Sequence, residues 1–154
     1  MSAELTPDYY LAALVADAIA AVEPQLAAVF IGGVGTDWER APAYPFAVVR
    51  VESAEQPRGG VTRTVRVRLV SRVAASSAPA KPVPLGAGGR VYLLVGADEI
   101  ATLAERVRNA LLGADLGAPL ESIATEYDAD SQFPVQTADL ALVFADAQAY
   151  GDSF

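Results

Sequence analysis

Two runs of sequence decide the fold: Tyr-Pro-Phe-Ala-Val-Val-Arg-Val-Glu-Ser at residues 44–53, and Val-Thr-Arg-Thr-Val-Arg-Val-Arg-Leu-Val-Ser-Arg-Val at residues 61–73. Both runs are rich in β-branched and aromatic residues, which suit the pleated, half-buried surface of a strand. The break between them, residues 54–60, contains the proline and glycines of a turn. The sequence therefore predicts a β-hairpin at the centre of the fold.

The second of these strands alternates almost strictly between two kinds of side chain. Successive side chains of a strand point to opposite faces of the sheet. The two sets are apolar on one face and basic on the other: Val65, Val67 and Leu69, against Arg66, Arg68 and Arg72. We expect the apolar face to pack on a core and the basic face to point away from it.

Length and composition restrict the classes of protein that this chain can belong to. Its 154 residues predict a single domain over residues 1–154, large enough to bury a core. The net charge of −8 argues against a general nucleic-acid binder. The chain has no cysteine and no histidine, which removes disulfides, thiolate chemistry, the commonest general base and the commonest metal ligand. We expect neither a membrane span nor a secretory signal, because no long apolar run is present and the first residues are acidic.

The charges are distributed unevenly along the chain. Residues 50–90 contain eight basic residues and two acidic ones, whereas residues 113–154 contain eight acidic residues and no basic one. The basic middle and the acidic end can meet within one subunit or between subunits of a ring. Solvated faces of a single domain are the simpler interpretation of the same pattern.

The first predicted helix begins near the N-terminus. Thr6 is suited to cap it, Pro7 fits its first helical position, and Pro24 is expected to end or kink it. Residues 25–31, which follow, are compatible with a further helical turn or with a short strand.

The second predicted helix begins near Asp98 and stops at Gly113, which is placed for the left-handed C-terminal position. Its apolar residues recur at helical spacing and form one stripe: Ile100, Leu103, Ala104, Val107 and Leu111. We expect this stripe to cover the apolar face of the strand at residues 61–73.

The remaining segments complete the predicted fold. Residues 120–127 and 135–145 read as the strands of a second hairpin, and residues 91–95 as a short strand or a lead-in to the second helix. Residues 74–90 are a Pro/Gly-rich excursion that we expect to be mobile in the free subunit and to order against a partner, and residues 147–154 are expected to be a flexible tail. The order helix, hairpin, helix, hairpin predicts an α+β fold, with two helices packed on one face of a mainly antiparallel, four- or five-stranded sheet.

No pattern in the sequence is typical of an enzyme or of a cofactor site. Asp128, Asp130 and Asp139 fall at positions one, three and twelve of a calcium-loop frame, but Phe133 occupies position six, where glycine is needed. Aspartates that favour a hairpin turn explain the same residues better. We therefore predict no catalytic residue, no cofactor, no metal site and no enzymatic activity.

The order of these segments and the residue types within them resemble those of a known protein family. A helix leads to Tyr-Pro-Phe-Ala-Val-Val, then to Thr-Val-Arg-Val-Arg-Leu-Val-Ser-Arg, then to the helix Asp98–Leu112 and a final hairpin. Over roughly residues 8–146 the chain is similar to the tail terminator proteins of tailed bacteriophages and related tail-like particles.

The resemblance implies a small α+β subunit that forms a homo-oligomeric ring, commonly a hexamer. Such a ring caps the tail tube, ends its polymerisation and joins the tail to the neck below the head. The implied partners are the tail tube protein and a neck or head-completion protein, with DNA passing through without specific binding and no membrane involved. The implied location is the virion, after assembly in the host cytoplasm. Two alternatives stay open: another head-to-tail connector or neck protein, and a small-molecule-binding or enzymatic α+β domain.

The charge pattern gives a hypothesis for the contact between subunits of such a ring. The basic row of one subunit would face the acidic segment of the next, with these candidates: Arg66, Arg68, Arg72, Glu121, Glu126, Asp128 and Asp130. Complementary charges of this kind set register and association rate more than affinity. Reversal of Arg66 and Arg68 to glutamate is then expected to weaken assembly while the monomer stays folded.

Overall fold

The computed structural model describes residues 6–32, 43–56, 60–73, 80–84, 90–94, 96–127 and 135–146. Two helices and seven strands lie within these ranges, in the order α1 (Pro7–Val22), β1 (Ala28–Ile31), β2 (Phe46–Glu55), β3 (Val61–Arg72), β4 (Ala80–Pro82), β5 (Tyr92–Leu94), α2 (Ala97–Leu112), β6 (Leu120–Tyr127) and β7 (Val135–Asp146). No helix in these ranges is both long enough and apolar enough to cross a membrane.

Five of the strands form one sheet in the order β1-β2-β3-β7-β6. Every neighbouring pair is antiparallel except β1 and β2, which are parallel. Both helices pack against the sheet, and its α+β class and mainly antiparallel character confirm the prediction. Residues 28–31, where the sequence allowed a helical turn or a strand, form the edge strand β1.

The helix α1 begins as its sequence predicts. The hydroxyl of Thr6 accepts a hydrogen bond from the backbone N–H of Tyr9 at 3.4 Å, and Pro7 occupies the first turn. Its buried face is rich in alanine, which brings the helix close to β1 and β2: Leu11, Ala12, Val15, Ala16 and Ile19. The helix ends at Val22, shortly before Pro24.

The helix α2 buries the whole of its predicted apolar stripe. At its start, the Glu99 carboxylate accepts a hydrogen bond from the backbone N–H of Gly96 at 3.0 Å. Gly96 has a φ of 93°, which residues with a side chain rarely adopt, and a Cβ atom there would lie 2.8 Å from Cγ of Gln136. A side chain at this position would therefore strain the backbone and also clash with Gln136.

The predicted left-handed conformation of Gly113 is wrong, since its φ is −92°. The last turn is instead closed by hydrogen bonds from the N–H of Gly113 to the carbonyl of Asn109 and from the N–H of Ala114 to that of Leu111. The second of these spans three residues and tightens the helix end, so a left-handed residue is not needed there. After the helix, the chain first adopts a positive φ at Gly117, where φ is 73°.

The main core lies between the helices and one face of the sheet, which we call the helix face. Val65, Val67 and Leu69 are fully buried there beside Leu140 and Leu142 of β7. The expected packing of α2 over the apolar face of β3 is therefore confirmed.

The opposite face of the sheet, which we call the open face, has no helix on it within the described residues. At one end it carries a second apolar cluster of Phe46, Val48 and Val70, packed against Tyr44 and Val135. The basic row of β3 is thus interrupted, because Val70 lies between Arg68 and Arg72 on this face.

Part of the predicted excursion at residues 74–90 is regular. Residues 80–82 pair antiparallel with residues 92–94, so β4 and β5 form a separate two-stranded ribbon. Tyr92 and Leu94 on this ribbon are exposed. The rest of the excursion is largely outside the described residues, as are residues 147–154, and the mobility of both segments stays a prediction.

Candidate subunit interface

The centre of the open face holds a cluster of charges around Arg66. This side chain projects from β3, the middle strand, with Arg50 of β2 directly beside it and Ala141 of β7 on the other side. Its guanidinium contacts three carboxylates, Glu52 at 3.1 Å, Asp139 at 3.2 Å and Glu126 at 3.3 Å. Because like charges directly opposite each other destabilise a strand pair, these carboxylates offset the closeness of Arg50 and Arg66.

Arg68 completes the cluster two residues further along β3. It lies directly across from Asp139 in the register of β3 and β7. Its Nε and Nη2 atoms donate to the two oxygens of that carboxylate at 2.8 and 2.9 Å. This two-point geometry is the strongest that an arginine and a carboxylate form, and it fixes both planes. Asp139 therefore holds Arg66 and Arg68 together.

Burial and charge act in opposite directions on the acid–base properties of this cluster. Burial by itself would raise the pKa of Asp139, but the hydrogen bond and charge of Arg68, followed by Arg66, outweigh it and hold the pKa below its ordinary value. Burial likewise would lower the pKa of Arg66, and Glu52 and Glu126 reverse that effect. Both shifts favour the charged forms of Asp139 and Arg66 at neutral pH.

One polar atom of the cluster has no hydrogen-bond partner in the part of the chain that the structure describes. This atom is Nε of Arg66, which is buried. An unpaired buried donor lowers stability, so the other contacts of Arg66 must hold its side chain in place. The side chains of Arg66 and Asp139 are only 16% and 15% exposed, although no helix covers this face within the described ranges.

The structure places the predicted interface residues in three different situations. Arg66, Arg68 and Glu126 come together within one chain, which is the first of the two arrangements that the charge distribution allowed. Arg72 is exposed at the end of β3, with its guanidinium carbon 5.9 Å from the centre of the Tyr44 ring. Glu121 is exposed beside a bulge in β6. Asp128 and Asp130 lie outside the described residues.

These contacts change one expectation about the basic row. Arg66 and Arg68 are not simply solvated, because each is held by carboxylates of its own chain. Reversing both would leave Glu52, Glu126 and Asp139 facing two further carboxylates, so the monomer is not expected to stay unaffected. A test of contacts between subunits needs exposed charges instead, and Arg72 and Glu121 meet that requirement.

Sequence reasoning missed two members of the cluster, Glu52 and Asp139. Glu52 lies near the end of the predicted strand at residues 44–53 and sits at a bulge, where simple alternation fails. Asp139 lies between apolar residues of β7. An isolated charge in an apolar strand indicates that a partner of opposite charge lies nearby, and this was the signal that the sequence offered. Its partner could not be known without the register of β3 and β7.

Two further ion pairs fasten the helices. Arg63 points to the helix face of β3, is almost completely buried, and its Nε lies 2.5 Å from Oδ1 of Asp8 in the first turn of α1. Glu23, which is also buried, follows α1 and accepts a hydrogen bond from Arg106 of α2 at 3.0 Å. These pairs join α1 to the sheet and to α2, so their evident role is structural.

Among the clefts of the described surface are two of similar size. One of about 280 Å³ lies between the start of α2 and the end of β6, lined by Ala97, Ile100, Ala101, Tyr127, Gln136 and Thr137. The other, of about 300 Å³, lies beside Asp8 and Arg63. In the part of the chain that the structure describes, no three side chains of the metal-binding types are grouped to hold a metal ion. Both clefts are at the small end of the range for ligand pockets.

Comparisons with known proteins assign no family to the chain. No protein-family model matches it, and no curated protein matches it significantly.

Proposed function

We propose that this chain is the subunit of a ring that caps the tail tube of a tailed bacteriophage or a related tail-like particle. In that role the ring ends polymerisation of the tube and joins the tail to the neck, while DNA passes through its centre. The proposal starts from the resemblance in sequence. The small α+β subunit that the resemblance implies agrees with the fold of the chain.

The observation that carries the proposal is the open construction of the sheet. Both helices cover one face, and within the described residues the other face has no covering element. In the part of the chain that the structure describes, the outer strands β1 and β6 each have only one strand beside them. Unpaired strand edges are a liability in a monomer, and natural proteins cover them or use them in assembly. A subunit that is open at two edges is suited to repeat head to tail and close into a ring.

The charge cluster supports the same role in a different way. On the open face, the carboxylates of Glu52, Glu126 and Asp139 offset the positive charges of Arg66 and Arg68, so this region offers a nearly balanced surface. Such a surface does not attract DNA phosphates as an exposed basic row would. Among the described members of the predicted set, Arg72 and Glu121 are exposed and lie outside the cluster, so they are available for contacts between subunits.

Mass photometry of the purified protein, followed by electron microscopy, tests the ring. We expect one discrete oligomer with a central opening. Added to assembling tail tubes, the ring should bind one end and stop growth. The exposed charges provide a matched test: Arg72→Glu or Glu121→Arg alone should slow ring formation at low salt, whereas Glu121→Gln should have a smaller effect.

A monomer at all concentrations would contradict the ring. A ring that binds neck components but leaves tube growth unchanged would favour another connector or neck protein. A monomer that binds a small molecule in one of the two clefts would favour the alternative from a different class.

A further inference from the structure

We propose that neighbouring subunits join by strand pairing, with β6 of one subunit beside β1 of the next, so that the sheets become continuous. This inference rests on the ring of the proposed function and names the surfaces that close it. Within the described residues, β1 and β6 are the two outer strands of the sheet, and neither has a second strand beside it.

The directions of the strands favour this junction. β1 runs parallel to β2, and each step from β2 through β3 and β7 to β6 is antiparallel. Three reversals leave β6 running opposite to β1. When a second copy extends the sheet head to tail, β6 and the β1 of that copy meet as an antiparallel pair, the slightly more stable kind. The helices of both copies then stay on the same side of the sheet.

The charges of β6 disfavour the simpler alternative, in which two copies of β6 pair about a two-fold axis. Residues 120–127 would then overlap fully, and Glu121 of each copy would lie across from Glu126 of the other. Like charges directly opposite each other destabilise a strand pair, and charged residues on an edge strand act against such self-pairing. β1, which reads Ala-Val-Phe-Ile, carries no charge and brings no repulsion.

The two faces of the sheet select a register for the junction. Phe30 and Ala124 both belong to the open face, and Ile31 and Ile123 both belong to the helix face. An antiparallel pair that places Phe30 opposite Ala124 also places Ile31 opposite Ile123. A slip by two residues in one direction would put Phe30 against the carboxylate of Glu126. A slip in the other direction would put Ile31 against Glu121, at the bulge.

The exposure of these side chains agrees with an edge that is covered on assembly. Phe30 and Ile31 are 38% and 45% exposed, although both are large and apolar. Ala124 is small and exposed, so it leaves room for the ring of Phe30. The junction would therefore bury apolar surface on both faces of the sheet while it pairs backbone groups.

Disulfide trapping tests the junction without background, because the chain has no cysteine. Directly opposite residues of an antiparallel pair have Cα atoms about 4.5–5.5 Å apart, which is within reach of a disulfide. In the double variant Phe30→Cys with Ala124→Cys, mild oxidation should convert the monomer band on a non-reducing gel into a ladder that ends at the ring. Ile31→Cys with Ala124→Cys places the thiols on opposite faces and should give no ladder. Each single variant should stay monomeric on the gel.

Mass photometry first verifies that the parent and the reduced double variant both form the ring. A missing disulfide then cannot be attributed to misfolding of the variant. A ring without a ladder would overturn the β6–β1 junction and leave the proposed function standing. A dimer trapped by Ala124→Cys alone would overturn it in favour of two-fold pairing of β6. A ladder from open filaments would support the junction and overturn the closed ring. A parent that stays monomeric, together with a double variant that gives no ladder, would overturn both.

Discussion

Asp139 on β7 lies directly across from Arg68 on β3, and both of its carboxylate oxygens accept hydrogen bonds from that guanidinium. One of these oxygens also accepts a hydrogen bond from Arg66 at 3.2 Å. A single carboxylate thus fixes two arginines that are two residues apart on the same face of β3. Because 71 residues separate Asp139 from Arg68 in sequence, this contact forms only when β7 has docked in its correct register.

Asp139→Asn should lower the free energy of unfolding by about 2 kcal/mol, which is within the range for hydrogen bonds to charged groups. The amide keeps the shape of the carboxylate but loses its charge and turns an N–H toward a guanidinium. Urea denaturation at pH 7 measures the loss. Glu121→Gln makes the same chemical change at an exposed position and should stay within about 0.5 kcal/mol of the parent. Equal effects of the two substitutions would mean that the cluster contributes no stability.

The stability that Asp139 contributes should depend on pH in a defined direction. Its pKa in the folded protein lies below the ordinary value of 3.8. A carboxyl group whose pKa is lowered by folding stabilises the protein at pH values above its ordinary pKa. This contribution disappears as the pH falls through the pKa that the group has in the folded protein. The difference in unfolding free energy between the parent and Asp139→Asn should therefore be constant from pH 7 to about pH 5 and shrink below about pH 4. A difference that grew on acidification would contradict the assignment.

The helix α2 offers a matched pair of leucines for a test of the core. Leu103 is 6% exposed and packs in the main core, whereas Leu112 on the same helix is 63% exposed. Leu103→Ala should lower the free energy of unfolding by about 2–5 kcal/mol, as expected for a truncated core leucine. Leu112→Ala should change it by about 0.5 kcal/mol or less. Since both substitutions make the same change from leucine to alanine on one helix, the difference between their denaturant melts reports mainly on the packing of α2 on the sheet.

The elements of this fold were predictable because their patterns are local. The period-two alternation of β3 and the helical spacing of α2 each lie within a dozen or so residues, and each identified the buried face correctly. The register of β3 on β7 depends on contacts far apart in sequence, and a slip of one residue would move Asp139 to the helix face. For that reason the basic row was predicted, but the carboxylate that binds it was not. Arg63 was missed for a related reason, because it pairs on the core face with Asp8, which lies 55 residues away in sequence.

Reversal of both Arg66 and Arg68 to glutamate should destabilise the subunit itself. Five carboxylates would then share a part of the open face where three now surround two arginines. We expect a loss of about 3 kcal/mol or more, approaching the range for removal of one partner from a buried ion pair. The loss should shrink in 1 M salt, because salt screens the repulsion between the exposed carboxylates.

Arg72→Glu is the control for this reversal, because Arg72 lies on the same face of β3 but is exposed and outside the cluster. It should change the free energy of unfolding by about 0.5 kcal/mol or less at either salt concentration. The comparison separates two roles of the basic row. If the double reversal unfolds as readily as Arg72→Glu at low salt, the ion pairs of Arg66 and Arg68 do not stabilise the fold, and both arginines return to the set of candidates for contacts between subunits. If only the double reversal is unstable, defects in its assembly report on folding, and Arg72 and Glu121 remain the charges with which to test the interface.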